Sequence, residues 1–407
     1  MSAPGRDTGI TAPAGFLASG IHCGIRRDHT DLALVVSEYE ASAAAVFTRN
    51  LVQAAPVVLS RQALASSGGR SQAIVINSGN ANACTGEQGD RAARRSAEAL
   101  AGLLDLPTDR VLVASTGVIG PQLPVDRLID KLPRAIAALS VEGGADAAEA
   151  ILTTDTHRKE CVRRVDDPAG SYTIGGMVKG SGMIHPDMAT TLAFVTTDAV
   201  VPAGALGAIL RRATERSFNR LTVDGDTSTN DMIAVLANGV TRVEASAEGF
   251  ERALTEVLVE LARAVARDGE GATRLITVRV TGAAAEHEAL AVARTIAGSL
   301  LVKTAVYGAD ANWGRVVAAA GRAGVPVDGS RMTLRFSGYE VLGPDYHSDY
   351  SEGEATERLS QDEVEIWLGR WPGTEREPAV WSPYGSPVPP PKPMRWRWRG
   401  PSPAPPW

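Results

Sequence analysis

Short apolar, β-branched runs alternate along most of this chain with alanine-rich amphipathic stretches. "DLALVVS" (31–37), "PVVLS" (56–60) and "QAIVIN" (72–77) read as strands in the first hundred residues. Gly86 to Leu104 reads as a helix with arginines on its outer face, and "RVLVAST" (110–116) as a strand running into the turn "GVIG". Helices over 126–139 and 144–152 follow, then strands near 160–165 and 171–178. "TTLAFVTTDA" (190–199) is a further strand and 203–218 a helix. The helical period is clearest over 248–267, where Phe250, Leu254, Val257, Leu258, Leu261 and Val265 make one apolar stripe. "RLITVRVTG" (274–282) is a strand, 284–298 and 312–322 are helices, and "RMTLRF" (331–336) closes the series. Elements mixed in this order predict an α/β (α+β layered) fold, without an internal repeat.

The alternation stops near the end. From Trp367 onward lie six of the seven tryptophans and half of the 24 prolines, and "SPVPPPKPMRWRWRGPSPAPPW" has neither a strand nor a helix period. Proline at that density joins neither a ladder nor a helix interior, so 367–407 is expected to be an atypical, extended or disordered tail. The rest of the 407 residues, with a hydrophobic content of 44%, suffices for a large core in two or three lobes. A charged fraction of 22% and a net charge of −6 give no reason to expect nucleic-acid or membrane partners. The N-terminus lacks the apolar stretch of a signal peptide, and no run reaches membrane-spanning length. The expected location is the cytoplasm, with Cys23, Cys84 and Cys161 as reduced thiols. Six scattered histidines show no ligand spacing, so no metal site is expected.

Candidate chemistry collects in glycine- and hydroxyl-rich loops after strands: "NSGNANACTGEQG" (77–89), "STGVIG" (115–120), "KGSGMIHPDMATT" (179–191), "DGDTSTND" (224–231) and "DGEGA" (268–272). Each alone reads more readily as a tight turn, a reading that five such loops together weaken. None carries a nucleotide-binding signature. "DGDTSTND" lacks the glutamate of a calcium loop, and its acidic and hydroxyl groups read as caps for a helix beginning near Asp231. Nucleophiles are therefore present without an evident side-chain base. One solution needs none: a chain cut just before a threonine gives that residue's own α-amine, of pKa about 7.7–8, as base. Ala189-Thr190 meets the requirement, with small residues upstream and a strand downstream. His185, the histidine nearest this bond, reads as structural.

The stretch "KGSGMIHPDMATTLAFVTTDA" (179–199) resembles the signature of the ornithine acetyltransferase (ArgJ) family of arginine biosynthesis. So do "AAAVFTRN" (43–50), "NSGNANACTGEQG", "STGVIG", "ILTTDT" (151–156), "VDGDTSTND" (223–231), "RDGEGATRLI" (267–276) and "LVKTAVYGADANWGR" (301–315), in collinear order. The resemblance implies an ArgJ-like fold, with sheets sandwiched by helices, and an N-terminal-threonine nucleophile made by self-cleavage between Ala189 and Thr190. Residues 1–189 would be the α-chain and 190–366 the body of the β-chain. Thr190 would be the nucleophile, Thr116 and Gly117 the oxyanion hole, and Thr153, Lys179, Thr190 and Glu270 the substrate-binding residues.

The implied reaction moves acetyl from N2-acetyl-L-ornithine to L-glutamate by a ping-pong route, without cofactor or metal, in a heterotetramer of two α- and two β-chains. Some family members also accept acetyl-CoA. The chain departs from the pattern at its end: the family closes with a strand and a short Asn-Ala/Ser-X-Tyr segment that completes the pocket, whereas no asparagine follows Asn312 here. Three readings fit: a shifted reading frame in a GC-rich gene, a divergent tail, or a tail whose "RWRWR" binds a charged surface. The first two leave open an inactive, C-terminally damaged paralogue.

Overall fold

The structure, a computed structural model, describes residues 9–185 and 191–369 together with the backbone of Ala379–Tyr384. In chain order the elements are β1 (Phe16–Ile21), β2 (Leu32–Phe47), α1 (Ala55–Ser66), β3 (Arg70–Asn77), α2 (Gly86–Leu104), β4 (Val111–Ser115), α3 (Val125–Ala137) and α4 (Gly144–Ala150). Next come β5 (Lys159–Asp167), β6 (Gly170–Lys179), β7 (Leu192–Thr197), α5 (Ala203–Glu215), β8 (Met232–Ala237) and α6 (Ala247–Arg267). The last part holds β9 (Arg274–Val280), α7 (Glu286–Ala297), α8 (Leu300–Tyr307), α9 (Trp313–Gly321), β10 (Thr333–Phe336), β11 (Tyr339–Leu342), α10 (Glu352–Leu359), β12 (Glu363–Gly369) and β13 (Ala379–Tyr384).

Two sheets organise the chain. The first runs β4-β3-β2-β8-β7-β6-β5, with β1 paired to β2. Its central strands are buried on both faces, which explains their continuous apolar runs. Along β7, Leu192 and Phe194 enter one core with Ile74, Leu112 and the α4 alanines. Ala193 and Val195 enter another, against α5 and α6. All six residues of the α6 stripe are at most 1% exposed, in that second core. The second sheet runs β11-β10-β12-β9-β13 and shares its own core with α7, α9 and α10. The expected layered α/β fold, with helices over the sheets, is the one observed.

Three local expectations are corrected. "PVVLS" lies in the helix α1: Pro56 sits in the first turn, where its missing N–H costs nothing, and Ala55, Pro56, Val57, Ser60 and Ala63 bury one face. No helix begins at Asp231; the apolar "MIAVLA" is the fully buried strand β8, gripped between β2 and β7. The tail boundary expected at Trp367 falls inside β12, which continues to Gly369 because Trp367 and Leu368 pair with both Arg335–Leu334 and Arg279–Val280. Ala379–Tyr384 adds a further antiparallel strand on β9, inside the segment expected to lack one. Among the described residues no single helix is long and apolar enough to cross a membrane.

Candidate active site

The register of the first sheet brings four strands abreast at one end. Lys179 closes β6 opposite Leu192, Leu192 opens β7 opposite Met232, and Met232 opens β8 opposite Phe47. The pairing continues one residue further: the Met232 N–H donates to the Thr191 carbonyl (3.0 Å) and the Thr48 N–H to the Asp231 carbonyl (3.0 Å). Thr191 and Asp231 are both 2% exposed. Ala189 and Thr190, the expected cleavage pair, lie outside the described residues. The structure therefore describes what stands around them.

On one side is a buried ionic cluster. Lys179 donates from Nζ to Thr153 Oγ1 at 2.7 Å, which joins two of the expected substrate-binding residues, and lies 3.7 Å from Asp155. Lys159, at the start of β5, bridges Asp155 (2.7 Å) and Asp268 (2.6 Å) with its side chain fully buried. Asp155 also accepts the Gly180 N–H at 2.6 Å, and Asp268 the Thr156 N–H at 3.0 Å. Burial opposes ionisation of Asp155, yet Lys179 and Lys159 prevail and hold its carboxyl down at about 2. Burial lowers the pKa of Lys179, an effect that Asp155 opposes and Lys159 reinforces. Glu270 reaches the same place through its backbone, donating its N–H to the Ser181 carbonyl (2.9 Å). Its carboxylate is exposed beside Gly182, on a cavity of about 490 Å³ lined also by Thr154, Thr156, Ser181 and Asp268. A larger cavity of about 740 Å³, between β9 and the 325–332 loop, contains none of the expected site residues.

On the other side is the end of the β3–β4 pair. Ser115 donates to Asn77 Oδ1 (2.6 Å), and the Thr116 N–H to the Asn77 carbonyl (3.0 Å). Gly117 has φ +133°, and a Cβ there would lie 2.2 Å from the Gly79 carbonyl carbon, so only glycine fits. Asn230 connects this end to the other strands: its side-chain amide donates to the carbonyls of Ser115 (2.8 Å) and Ala81 (2.6 Å). Its neighbour Asp231 sits beside Thr191. Thr116 and Gly117 are thus drawn toward the start of β7 although β4 and β7 are not sheet neighbours.

Asp231 is the least expected member. Burial strongly disfavours its charged form, and the Thr48 hydroxyl, Lys179 and the Thr191 and Ser228 N–H groups only partly offset this. Its Oδ2 has no hydrogen-bond partner among the described residues. The sequence reading missed Asp155, Lys159, Asp268, Asn230 and Asp231. Lys159 had a local signal, as a lysine opening an alternating strand. The others become neighbours only through long-range pairing.

Comparison with known proteins places the chain in a family. The ArgJ family model matches residues 17–381. The arginine biosynthesis bifunctional protein ArgJ of Symbiobacterium thermophilum is 52% identical over 365 residues, 88% of this chain and 90% of that protein. The protein of the same name from Chlorobaculum tepidum is 46% identical over 374 residues, 91% of this chain and 92% of its own length. Among solved structures, ornithine acetyltransferase from Mycobacterium tuberculosis, complexed with ornithine, is 39% identical; the match covers 46% of this chain and 97% of that one, with a TM-score of 0.41. Identity at this level over most of both chains, with the family model spanning 17–381, makes this chain a member of the ArgJ family of arginine biosynthesis.

Proposed function

We propose that this chain is a glutamate N-acetyltransferase that moves acetyl from N2-acetyl-L-ornithine to L-glutamate through Thr190. The observation that carries the reading is the register of Lys179, hydrogen-bonded to Thr153, opposite Leu192 at the start of β7. A cation held there, paired across the sheet with a residue two places after Thr190, suits the α-carboxylate that both substrates share.

The chain first cuts itself. The Thr190 hydroxyl adds to the Ala189 carbonyl carbon, the amide C–N bond breaks as the ester forms, and the nitrogen leaves as the Thr190 α-amine. Water then hydrolyses the ester, leaving an Ala189 carboxylate and a free threonine hydroxyl. Residues 1–189 and 190–407 remain in one folded unit. In acyl transfer the α-amine takes the hydroxyl proton as Thr190 attacks the acetyl carbonyl, and returns it to the departing ornithine amine. The glutamate amine reverses the step on the acetyl-threonine. Thr116 spends its N–H on Asn77, so its hydroxyl and the Gly117 N–H are the proposed oxyanion donors. Glu270 takes the substrate's ammonium end beside Gly182.

Intact mass tests this directly. Denatured protein should give two chains, the second beginning at Thr190, and N-acetylornithine should add about 42 Da to that chain alone, as an acyl-enzyme requires. A single uncut chain of 42.6 kDa sinks the mechanism, and cutting without an adduct supports an inactive, C-terminally damaged paralogue. The relatives' name, bifunctional, favours a second donor. We assign acetyl-CoA to that place, and the absence of CoA release on mixing it with glutamate would exclude this. The assembly we propose is a heterotetramer of two α- and two β-chains, testable by light scattering.

A further inference from the structure

Just before the scissile bond, three successive residues are docked on three others. Met183 has φ +59°, uncommon for a residue with a side chain. Its N–H and that of Ile184 are both held by one carboxylate, Asp224, at 2.6 and 2.9 Å. The Ile184 carbonyl accepts the Val223 N–H (2.7 Å), and the Ile184 side chain is fully buried among α5 and α6 residues. His185 Nδ1 lies 3.2 Å from Thr222 Oγ1. Behind the Thr222–Asp224 loop stands Lys303 of α8, 2% exposed, whose ammonium donates to the Val223 carbonyl and faces the Asp224 charge. The proposed transfer mechanism uses none of these groups.

We infer that Asp224, backed by Lys303, is a positioning pair for self-cleavage rather than for acyl transfer. This rests on the proposed cut between Ala189 and Thr190. For a hydroxyl to attack the carbonyl that precedes it, the chain must hold a near-attack geometry that an unrestrained peptide visits rarely. The downstream side is fixed by the sheet at Thr191 and Leu192. The upstream side is fixed where Asp224 takes two consecutive N–H groups, five residues before Ala189. Lys303 holds the loop that carries this carboxylate. In cleavage the acyl carbon belongs to Ala189 and so to that upstream chain, whereas in turnover it belongs to the substrate's acetyl group, so the pair has no further part in turnover.

The full chain, made by cell-free synthesis, can be followed by the disappearance of the uncut species, with turnover then measured per cut molecule. Asp224→Ala and Lys303→Met are expected to slow cutting at least tenfold, and Asp224→Asn, which keeps one acceptor oxygen, less. Turnover per cut molecule stays within about twofold of wild type, the transfer steps being untouched. Leu359→Ala in the second core, which lowers Tm without touching the loop, should cut at the wild-type rate. An uncut wild type would fail the cleavage reading itself. A wild type that cuts beside an Asp224→Ala that cuts as fast overturns the pair alone. So does a parallel fall in turnover, or a Leu359→Ala that slows equally.

Discussion

Lys159→Met is the sharpest test of the buried cluster. The ammonium lies 2.7 Å from Asp155 and 2.6 Å from Asp268, in a place where neither carboxylate side chain is more than 3% exposed. Methionine matches the stem but leaves two buried carboxylates, with Lys179 3.7 Å from Asp155 and no lysine contact to Asp268 among the described residues. Breaking a buried pair from one side costs about 3–5 kcal/mol, because the remaining charge is uncompensated. For a chain of this length that lowers Tm by about 5 °C. A pH signature follows from Asp155, whose carboxyl is held at about 2 against an ordinary 3.8. A depressed carboxyl contributes stability that is present above 3.8 and lost as pH falls through 2; the difference amounts to roughly 2 kcal/mol. With Lys159 gone the folded pKa rises, so the contribution shrinks and the acid transition moves to higher pH. Urea titrations at pH 7 give the first effect, and a series from about pH 4.5 down to about 2 gives the second. Adding Asp268→Asn should recover at least about 1 kcal/mol, since the stranded charge is then removed. A Lys159→Met protein within about 1 kcal/mol of wild type and with an unmoved acid limb would refute this account of the cluster.

Lys179→Met should lower kcat/KM for both glutamate and N-acetylornithine about 10- to 100-fold, the worth of a charge-assisted hydrogen bond to their shared carboxylate. An effect on one substrate only would place the lysine elsewhere. Gly117→Ala should reduce turnover at least tenfold, or leave insoluble protein, because its Cβ would overlap the Gly79 backbone. A fully active variant would show that the turn can move. Asn230→Ala strips a donor from two carbonyls and should slow cutting and transfer alike by roughly tenfold if the proposed oxyanion donors serve both. Unequal losses, read by intact mass and turnover, would separate the two sites. Burial pulls the Lys303 ammonium down to about 8 from 10.5, with Asp224 only partly opposing. The unfolded chain therefore binds more protons between those values, and wild-type stability relative to Lys303→Met should rise with pH across them by about 3 kcal/mol. A flat difference in urea titrations at pH 8 and 10.5 would refute it.

How much of this was legible in the sequence depended on the range of the interaction. The α6 stripe and the buried run of β7 follow from local period alone, and both are where the pattern places them. "PVVLS" failed because five residues are too few to separate a strand from the first turns of a helix, and Pro56 suits both. "MIAVLA" failed for the opposite reason: a fully buried strand has no alternation to distinguish it from a buried helix. The Lys179–Thr153 pair was reached only through the family motif, since 26 residues separate them. Asp155 and Lys159 stand four apart and resemble a surface helical pair, whereas Asp155 lies in the connection between α4 and β5 and Lys159 opens β5, so the ammonium points into the cluster.

One stretch joins the parts of the site. Thr222 to Asp231 contains no helix or strand, and its acidic and hydroxyl content first read as capping. In the structure Asp224 holds the chain upstream of the scissile bond, Asn230 holds the end of β4 that leads into Thr116, and Asp231 faces the Thr191 N–H downstream. Asn230 and Asp231 tie the end of β4 to the approach to β7, and Asp224 ties in the chain after β6, so one loop sits between the proposed scissile bond and the proposed oxyanion donors. On the proposed mechanism Asn230 and Asp231 serve both reactions of Thr190, with its own chain and with substrate, whereas Asp224 serves the first alone. Such a division of tasks also accounts for the polar groups buried so densely beside β8. Asp224 and Asn230 fix backbone segments from other parts of the chain by hydrogen bonds that no apolar side chain could make, whereas at Asp231 such bonds offset the cost of burial only in part.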